Sequence, residues 1–168
     1  MVKIITLTID NIVSEMLFDF CHHQVITKIC IHDNNEWKTT DTHILREWSL
    51  EKKKWISQYL QQQIERGGFV VAAFDEDILI GFCSIDGCLL GKTAKYANMT
   101  MLFVDDRYQR KGIGTRMFEY VKRELQEEPE EISNIVLTTM RGYPSVAFYE
   151  KNGFHIEECV IFMEGIVK

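Results

Sequence analysis

The chain has 168 residues, of which 46% are hydrophobic, and its formal net charge is −6. This length fits one compact domain, because single hydrophobic cores commonly span roughly 100–200 residues. Only two prolines and ten glycines interrupt the chain, which excludes a linker-rich or disordered protein. The acidic balance argues against nucleic acid or an anionic membrane surface as the main partner and favours a cationic one.

The N-terminal part predicts a strand, two helices and an irregular segment. Val2–Thr8 alternates β-branched and apolar residues, which predicts a strand, and it runs into a predicted helix over about Ile12–Ile29. Residues 31–47 are polar and lack a period, which favours irregular structure. A second helix is predicted over about Trp48–Arg66, where the following glycines provide a low-cost end.

The middle of the chain predicts three strands followed by an amphipathic helix. Phe69–Phe74 and Ile78–Ile85 flank a short acidic turn and should form an antiparallel hairpin, with a third strand over about Ala97–Val104. The helix covers Gly112–Gln126 and has one apolar stripe, which predicts one buried face. That stripe consists of Ile113, Met117, Phe118, Val121 and Leu125.

The C-terminal part predicts a strand over Ile135–Met140, a short helix over Pro144–Lys151 with proline in its first turn, and a terminal strand or strand pair over Phe154–Val167. The order of all elements favours an α/β (α+β) fold. Its central sheet should be mixed and mostly antiparallel, with helices on both faces.

A basic, glycine-containing turn connects the third strand to the amphipathic helix. Helix N-termini present unpaired N–H groups and a partial positive charge, so this turn can admit phosphate oxygens, although an ordinary strand-to-helix turn would look similar. A Walker A loop does not fit, because the lysine precedes Gly112, and a Rossmann fingerprint does not fit, because it needs glycine where Met117 stands. Cations concentrate here, which indicates an anionic ligand: Arg107, Arg110, Lys111 and Arg116.

Two motifs carry a family resemblance. Gln109-Arg-Lys-Gly-Ile-Gly114 matches the Q/R-x-x-G-x-G/A acetyl-CoA signature, and the helix ending in Phe148-Tyr-Glu-Lys-Asn-Gly-Phe154 matches a closing helix at the expected spacing. The chain therefore resembles the GCN5-related N-acetyltransferase (GNAT) superfamily, strongly over residues 69–158 and only in topology over 1–68. The resemblance implies one N-acetyltransferase domain over 1–168, with the acetyl-CoA core at 69–158 and acceptor-side helices and loop at 12–66.

The resemblance also implies a cofactor site for acetyl-CoA. Backbone amides of the signature would hold the pyrophosphate, while Phe103 and Val104 would pair with pantetheine on a strand that splays from its neighbour. The family often has a CoA-contacting asparagine where this chain has Gly142, so that side-chain contact is not expected. The implied cofactor-binding residues are Phe103, Val104, Gln109, Arg110, Lys111, Gly112, Ile113, Gly114, Thr115, Ser145 and Tyr149.

The catalytic groups are less fully specified. The resemblance implies that the Val104 N–H polarises the acetyl carbonyl and that Tyr149 protonates the leaving thiolate, although Tyr149 also fits a plain aromatic core residue. The strand before the basic turn carries no acid. We therefore consider Asp86 as a general base, against its simpler role as a turn aspartate, and the acids of the polar segment acting through water: Asp33, Glu36 and Asp41.

These features predict transfer of acetyl from acetyl-CoA to a primary amine, with a small molecule favoured over a protein. Since no cysteine lies in the two motifs, direct transfer in a ternary complex is favoured over an acetyl-enzyme. The alternatives are a non-catalytic acyl-CoA-binding module and a protein or peptide N-acetyltransferase. A homodimer stays open.

Other features predict little chemistry. The pattern Cys21-His22-His23 with Cys30 and His32 matches no standard zinc spacing, so no metal is expected. The tryptophans fit either an acceptor pocket or the core: Trp37, Trp48 and Trp55. No apolar run approaches the roughly 18 residues of a membrane span, which favours a cytoplasmic protein, and the five cysteines should be reduced thiols.

Overall fold

The computed structural model of the protein describes residues 1–34, 36–90, 95–127, 132–139 and 143–156. The chain groups into two compact units, residues 1–138 and residues 139–168. None of the helices in the described ranges is long and apolar enough to cross a membrane.

Within its described residues, the larger unit contains a five-stranded sheet and two α-helices. The strand order is β1-β4-β5-β6-β7, and β6 and β7 are parallel while the other neighbours are antiparallel. A separate antiparallel ribbon is formed by β2 and β3. The strands are β1 (Val2–Leu7), β2 (His23–Asp33), β3 (Glu36–Glu47), β4 (Phe69–Asp75), β5 (Ile78–Ile85), β6 (Lys95–Val104) and β7 (Ile132–Val136), and the helices are α1 (Leu50–Glu65) and α2 (Ile113–Gln126).

The two helices cover opposite faces of the sheet, as the sequence predicts. On one face, Ile56 and Leu60 of α1 pack in a cluster with Val70 and Phe82. On the other, Ile113 and Met117 of α2 pack against Ala73. All five residues of the predicted apolar stripe of α2 are buried, and each large side chain so buried contributes about 1.5–3 kcal/mol. The mixed α/β architecture is therefore confirmed.

The predicted helix over Ile12–Ile29 is wrong, and so is the irregular segment over 31–47. Residues 14–19 form turns, and the chain then enters the β2–β3 ribbon. The apolar residues that suggested a helical period, such as Leu17 and Phe20, reach the core from non-helical backbone. The ribbon is rich in β-branched residues, which favour extended backbone. Most of its described side chains on β3 are exposed, so burial imposes no alternation that the sequence could reveal.

Helix α1 confirms the predicted second helix with small shifts at its ends. Ser49 is the N-cap, and its side chain accepts a hydrogen bond from the Lys52 N–H at 3.2 Å. Trp48, predicted inside the helix, precedes the cap and is only 9% exposed. Trp55 lies on the outer side of α1, stacked on Tyr59 and largely exposed. Trp48 is therefore a core residue and Trp55 a surface residue.

The backbone at the end of α1 lies close to the turn after β5, because a glycine in that turn has no side chain to keep them apart. A Cβ at Gly87 would lie 2.2 Å from the Arg66 carbonyl oxygen, and neither backbone can move cheaply. We expect Gly87→Ala to lower the free energy of unfolding by about 3 kcal/mol in urea titrations. The matched control is Gly67→Ala, where φ is +85° but nothing lies within 4 Å, so the loss should be only about 1–2 kcal/mol. An equal or smaller loss for Gly87→Ala would contradict this close approach.

The smaller unit contains α3 (Pro144–Lys151), with the boundaries that the sequence predicts. Proline stands in its first turn, and the Phe154 N–H donates to the Tyr149 carbonyl oxygen at 3.0 Å after the helix ends. In the larger unit, β7 begins three residues before the predicted strand. Met140, Gly142 and residues 157–167 of the predicted terminal strand lie outside the described residues.

Candidate functional site

Strand β6 has an edge that is paired along only part of its length. Its pairing with β7 runs from Lys95 to Asn98, whereas its pairing with β5 continues to Val104. Within the described residues, Met99–Val104 therefore has β5 on one side and no strand on the other. The family resemblance predicts that the pantetheine arm of CoA binds at this half-paired edge.

Two backbone amides point toward this open edge. The Asp105 N–H donates to the Ile80 carbonyl oxygen at 3.0 Å, toward β5. Successive N–H groups along a strand point to opposite sides, so the Val104 and Leu102 amides point away from β5, about 7 Å apart. The Val104 amide is the predicted carbonyl donor. The Leu102 amide points the same way and could also donate a hydrogen bond at this edge. This second donor was not predicted from the sequence.

The N-terminus of α2 opens immediately after this edge. Gly112 is its N-cap with φ +77°, and nothing lies within 4 Å of a Cβ built there. The first helical hydrogen bond is donated by the Arg116 N–H to the Gly112 carbonyl oxygen at 3.0 Å. The amides of Ile113, Gly114 and Thr115 therefore precede the helical ladder and carry the partial positive charge of the helix end, which suits an anion.

A buried carboxylate fixes the turn between β6 and α2. Asp105 is fully buried, and its oxygens accept hydrogen bonds from the Arg107 guanidinium at 2.9 and 2.6 Å and from the Cys21 N–H at 2.8 Å. Burial alone raises the pKa of Asp105, but the bonds from Arg107 and Cys21 outweigh it and hold the pKa below its usual value. Arg107, grouped by sequence with the phosphate-binding cations, is thus already paired with Asp105.

The other three cations of the turn are exposed. Arg110 has φ +62°, which allows the sharp bend before Gly112. Lys111 Nζ donates to the Arg107 carbonyl oxygen at 3.0 Å and lies over the Tyr108 ring. Arg116 reaches back to the Val2 carbonyl oxygen at 3.3 Å. Gln109 is exposed as well, and its Nε2 donates to the Val104 carbonyl oxygen and to Asp106.

Asp86, which the sequence offers as a general base, does not lie at this edge. The Asp86 N–H donates to the Asn98 carbonyl oxygen, and its carboxylate accepts from the Cys88 N–H at 3.1 Å, as in a turn aspartate. Asn98 is six residues before Val104, so Asp86 lies about 20 Å from the Val104 amide. Asp33 and Glu36 form the far end of the ribbon, about 33 Å along it from His23.

Ser145 and Tyr149 lie on α3 in the smaller unit. The Ser145 hydroxyl lies 3.2 Å from the Thr139 hydroxyl. The Tyr149 ring meets Phe148 and Phe154 edge to face, with centroids 5.3 and 5.4 Å away. Tyr149 is half-buried among these rings.

His22 and His23, which the sequence analysis discussed only as zinc ligands, lie beside the end of β6. The His22 ring packs against Trp48 at 4.6 Å and against Phe103 at 5.0 Å between centroids. Its Nδ1 lies 3.2 Å from Asp106 Oδ1, and His23 Nδ1 lies 2.8 Å from Asp106 Oδ2. Sequence could not reveal this group, because 84 positions separate His22 from Asp106 and only the fold joins them.

The donor atoms of Cys21, His23 and Asp106 lie within 4.8 Å of one another, a set that zinc accepts. The 2.8 Å between His23 Nδ1 and the Asp106 carboxylate is a hydrogen-bond distance, and the same oxygen accepts from the His23 N–H at 2.7 Å. The carboxylate is therefore already satisfied by hydrogen bonds. Of the wider zinc pattern, the side chains of Cys30 and His32 lie outside the described part of the chain.

Comparison with known families decides the identity of this arrangement. The model of the acetyltransferase (GNAT) family matches residues 31–154, well over half of the chain. The chain belongs to the GNAT acetyltransferase family. Enzymes of this family use acetyl-CoA as cosubstrate. None of the curated proteins matches this GNAT chain significantly.

Solved structures share the fold of this GNAT domain at low sequence identity. An aminoglycoside acetyltransferase, meta-AAC0020 from an uncultured soil metagenomic sample, is 17% identical with a TM-score of 0.61, over 99% of this chain and 97% of that one. A ribosomal-protein-alanine N-acetyltransferase from Brucella melitensis biovar Abortus 2308 is 13% identical with a TM-score of 0.61, over 100% and 99%. Glucosamine-6-phosphate N-acetyltransferase from Arabidopsis thaliana is 14% identical with a TM-score of 0.57, over 100% and 99%.

Proposed function

We propose that this GNAT enzyme moves an acetyl group from acetyl-CoA to a primary amine, with a small-molecule amine as the favoured acceptor. The observation that carries the proposal is that the open edge of β6, ending at Val104, is followed after one turn by the N-terminus of α2, whose N-cap Gly112 supplies no side-chain hydrogen bond. The edge offers amides to an extended, amide-bearing arm, and the helix end offers amides to a diphosphate. The edge comes first along the chain and the helix end second, and the pantetheine arm and the pyrophosphate follow one another in the same way along CoA.

The pyrophosphate site is proposed at the signature itself. The amides from Gln109 to Thr115 surround the left-handed Gly112, and Arg110 and Lys111 add exposed positive charge. Phosphate oxygens at a helix N-terminus gain both hydrogen bonds and the favourable helix dipole. Phe103 and Val104 would hold the pantetheine arm, and Ser145 and Tyr149 would lie beside CoA as the family resemblance implies.

Three steps of the chemistry need groups from the protein. An ammonium with a pKa of about 10.4 costs about 4–5 kcal/mol to deprotonate at neutral pH, so a proton acceptor is needed. The oxyanion of the tetrahedral intermediate needs a donor such as the Val104 amide, and one such donor is worth about 3–4 kcal/mol. The departing thiolate takes a proton, for which Tyr149 is proposed.

Direct transfer in a ternary complex is supported by the cysteines. Cys83 is fully buried, and burial raises the pKa of its thiol, which makes it a poor nucleophile. Neither motif contains a cysteine. Initial-rate kinetics should therefore give intersecting lines in double-reciprocal plots, whereas parallel lines would indicate an acetyl-enzyme.

Acceptor selectivity is proposed to lie in residues 12–66. This region supplies Trp48 and His22 beside Phe103, and the ribbon that begins at His23. The net charge of −6, with exposed cations gathered at the α2 N-terminus, favours a cationic amine elsewhere on the surface. The similar structures have names that specify an aminoglycoside, a protein alanine and a phosphorylated amino sugar, so they do not select among acceptors.

The test combines calorimetric CoA binding with acetyl-CoA turnover on a panel of amines and peptides, for wild type and Tyr149→Phe. We expect CoA binding by both proteins and turnover on free amines by wild type. Loss of the phenol should lower kcat about 100-fold, the usual contribution of a placed acid. The control is Tyr108→Phe, which removes the same hydroxyl from the turn before α2.

Other outcomes have distinct meanings. Tight CoA binding without turnover on any amine would favour a non-catalytic acyl-CoA-binding module. Turnover on peptides but not on free amines would favour a protein N-acetyltransferase. Absence of CoA binding would overturn the proposal entirely.

A further inference from the structure

Asp86 lies about 20 Å from the Val104 amide, so another group is needed at the open edge of β6 to take the proton of an ammonium acceptor. His22 is the side chain beside this edge that can accept a proton. Its ring lies against Phe103, whose two neighbours Leu102 and Val104 direct their amides to that edge. Trp48 covers another side of the ring at 4.6 Å, and the imidazole side chain is only 15% exposed.

The backbone around His22 is held on both sides by the turn that follows β6. The Cys21 N–H donates to Asp105 and the His23 N–H to Asp106, at 2.8 and 2.7 Å. The Asp106 N–H donates to the Cys21 carbonyl oxygen, and the Trp48 N–H donates to the His22 carbonyl oxygen. His22 is therefore positioned by the same turn that leads into the α2 N-terminus, which is the preorganisation a proton-transfer group needs.

Asp106 determines which ring nitrogen of His22 is basic. Its Oδ1 lies 3.2 Å from His22 Nδ1, a buried atom that has no well-aligned hydrogen-bond partner among the described residues because this approach is oblique. A carboxylate can only accept, so the nitrogen that faces it carries the proton, and Nε2 keeps the lone pair. A small tilt of the ring on protonation would align Nδ1–H with the carboxylate and stabilise the imidazolium.

The protonation state of His22 fits that role. Burial lowers its pKa, and the lowering outweighs the opposite effect of Asp106, so the imidazole is neutral at pH 7. Among the described residues, two further groups act on this pKa: His23 also lowers it, and Asp105, which is itself paired with Arg107, raises it. A neutral imidazole beside a carboxylate can take up a proton and later release it to water.

We propose that His22 accepts the proton of the acceptor ammonium, with Asp106 as its positioning residue. In this step the N–H bond of the ammonium breaks and the proton passes to Nε2, directly or through one water. The neutral amine then forms a C–N bond to the thioester carbonyl carbon, and the C–S bond breaks with its electron pair on CoA sulfur. The nitrogen loses its second proton to solvent as the amide forms. The thiolate takes a proton from Tyr149, which regains one from solvent. His22 returns its proton to solvent. The inference rests on the proposed function.

The test is the pH dependence of kcat/KM for wild type and His22→Gln, with a strongly basic amine and with a weakly basic amine that is neutral at pH 7. With the basic amine at pH 7, we expect His22→Gln to lose about 100-fold. The loss should shrink to a few-fold above pH 9, where free amine is present without a base, and with the weakly basic amine at any pH. Wild type should show an acid limb that His22→Gln lacks.

Two further variants separate chemistry from structure. Asp106→Asn keeps the shape but removes the charge that raises the pKa of His22, so the acid limb should move to lower pH. His43→Gln is the matched control for the pH dependence: His43 is exposed on β3 within the proposed acceptor region, so KM can change, but the acid limb should stay at its wild-type pH. The tautomer is read independently of turnover by 15N NMR of the imidazoles, where His22 should carry its proton on Nδ1 at pH 7.

An equal loss for His22→Gln with both amines and at every pH would overturn the inference, because a structural defect has no such selectivity. An Nε2–H tautomer or an imidazolium at pH 7 would overturn it as well. Wild-type turnover that is unaffected by His22→Gln would refute the role of His22 alone, whereas absence of CoA binding and turnover in wild type would refute the proposed function.

Discussion

Gly114→Glu should reduce CoA affinity about 1,000-fold without unfolding the protein. Gly114 is the second residue of α2, at the helix end proposed to receive the pyrophosphate. A carboxylate about 4 Å from a phosphate charge costs about 4 kcal/mol at the effective dielectric of a protein surface, which corresponds to about three orders of magnitude in Kd. An acid in the first turn interacts favourably with the helix dipole, so α2 itself should persist.

Calorimetry measures the loss of CoA affinity, and thermal unfolding measures whether the variant stays folded. The matched control is Gln126→Glu, which adds the same charge at the exposed far end of α2 and should leave Kd within about two-fold, since surface charges beyond a Debye length are screened. Gly114→Ala separates size from charge and should weaken binding less than glutamate does. Unchanged CoA affinity in Gly114→Glu with an intact fold would refute the placement of the pyrophosphate at α2.

The sequence predicted the elements whose burial leaves a periodic trace. The stripe from Ile113 to Leu125 predicted α2, and its five residues are the buried residues of that helix. The hairpin of β4 and β5 was predicted because its two strands are apolar and flank an acidic turn. In these cases one face of each element meets the core, so the period is imposed by packing.

The segment from Ile12 to Glu47 shows where this signal ends. Leu17 and Phe20 are buried from turns, so their spacing imitates a helix without forming one. The β2–β3 ribbon has exposed side chains along much of β3, and its register is set by cross-strand hydrogen bonds instead of by burial. Local sequence therefore does not reveal pairing that depends on residues far apart in the chain.

The candidate site divides in the same way. The residues from Gln109 to Thr115 were predicted because the glycines and cations of one turn are contiguous. The His22–Asp106 contact was not predicted, since it joins two distant segments through backbone bonds to Cys21 and His23. A contiguous motif can be recognised in a chain, whereas a constellation made by tertiary folding has no local signature.

The second large effect is expected at Asp105. In Asp105→Ala, the amides of Cys21 and Arg107 lose their acceptor and the Arg107 guanidinium loses its partner. The Arg107 guanidinium is about half exposed and can bind water instead, so the loss comes mainly from the two amides, at about 1–3 kcal/mol each. The free energy of unfolding should fall by about 3–4 kcal/mol in urea titrations at pH 7. Asp77→Ala, at an exposed turn acid, is the control and should change it by about 0.5 kcal/mol or less.

The effect should depend on pH in a defined direction. The pKa of Asp105 is below its usual value in the folded protein, so the folded state favours the carboxylate more than the unfolded chain does. Its contribution is therefore present above a pH of about 3.9, the unperturbed value, and is lost as the pH falls through the lower folded pKa. The stability difference between wild type and Asp105→Ala should shrink accordingly in acid.

Asp105→Ala also tests whether one turn organises both halves of the proposed reaction. The carboxylate joins the segment that carries His22 to the turn that leads into α2. Losing it should lower kcat with basic amines through His22 and weaken CoA binding through the turn, under conditions where the variant is still folded. If stability fell while kcat and CoA affinity stayed at wild-type values, Asp105 would stabilise the fold without positioning either group.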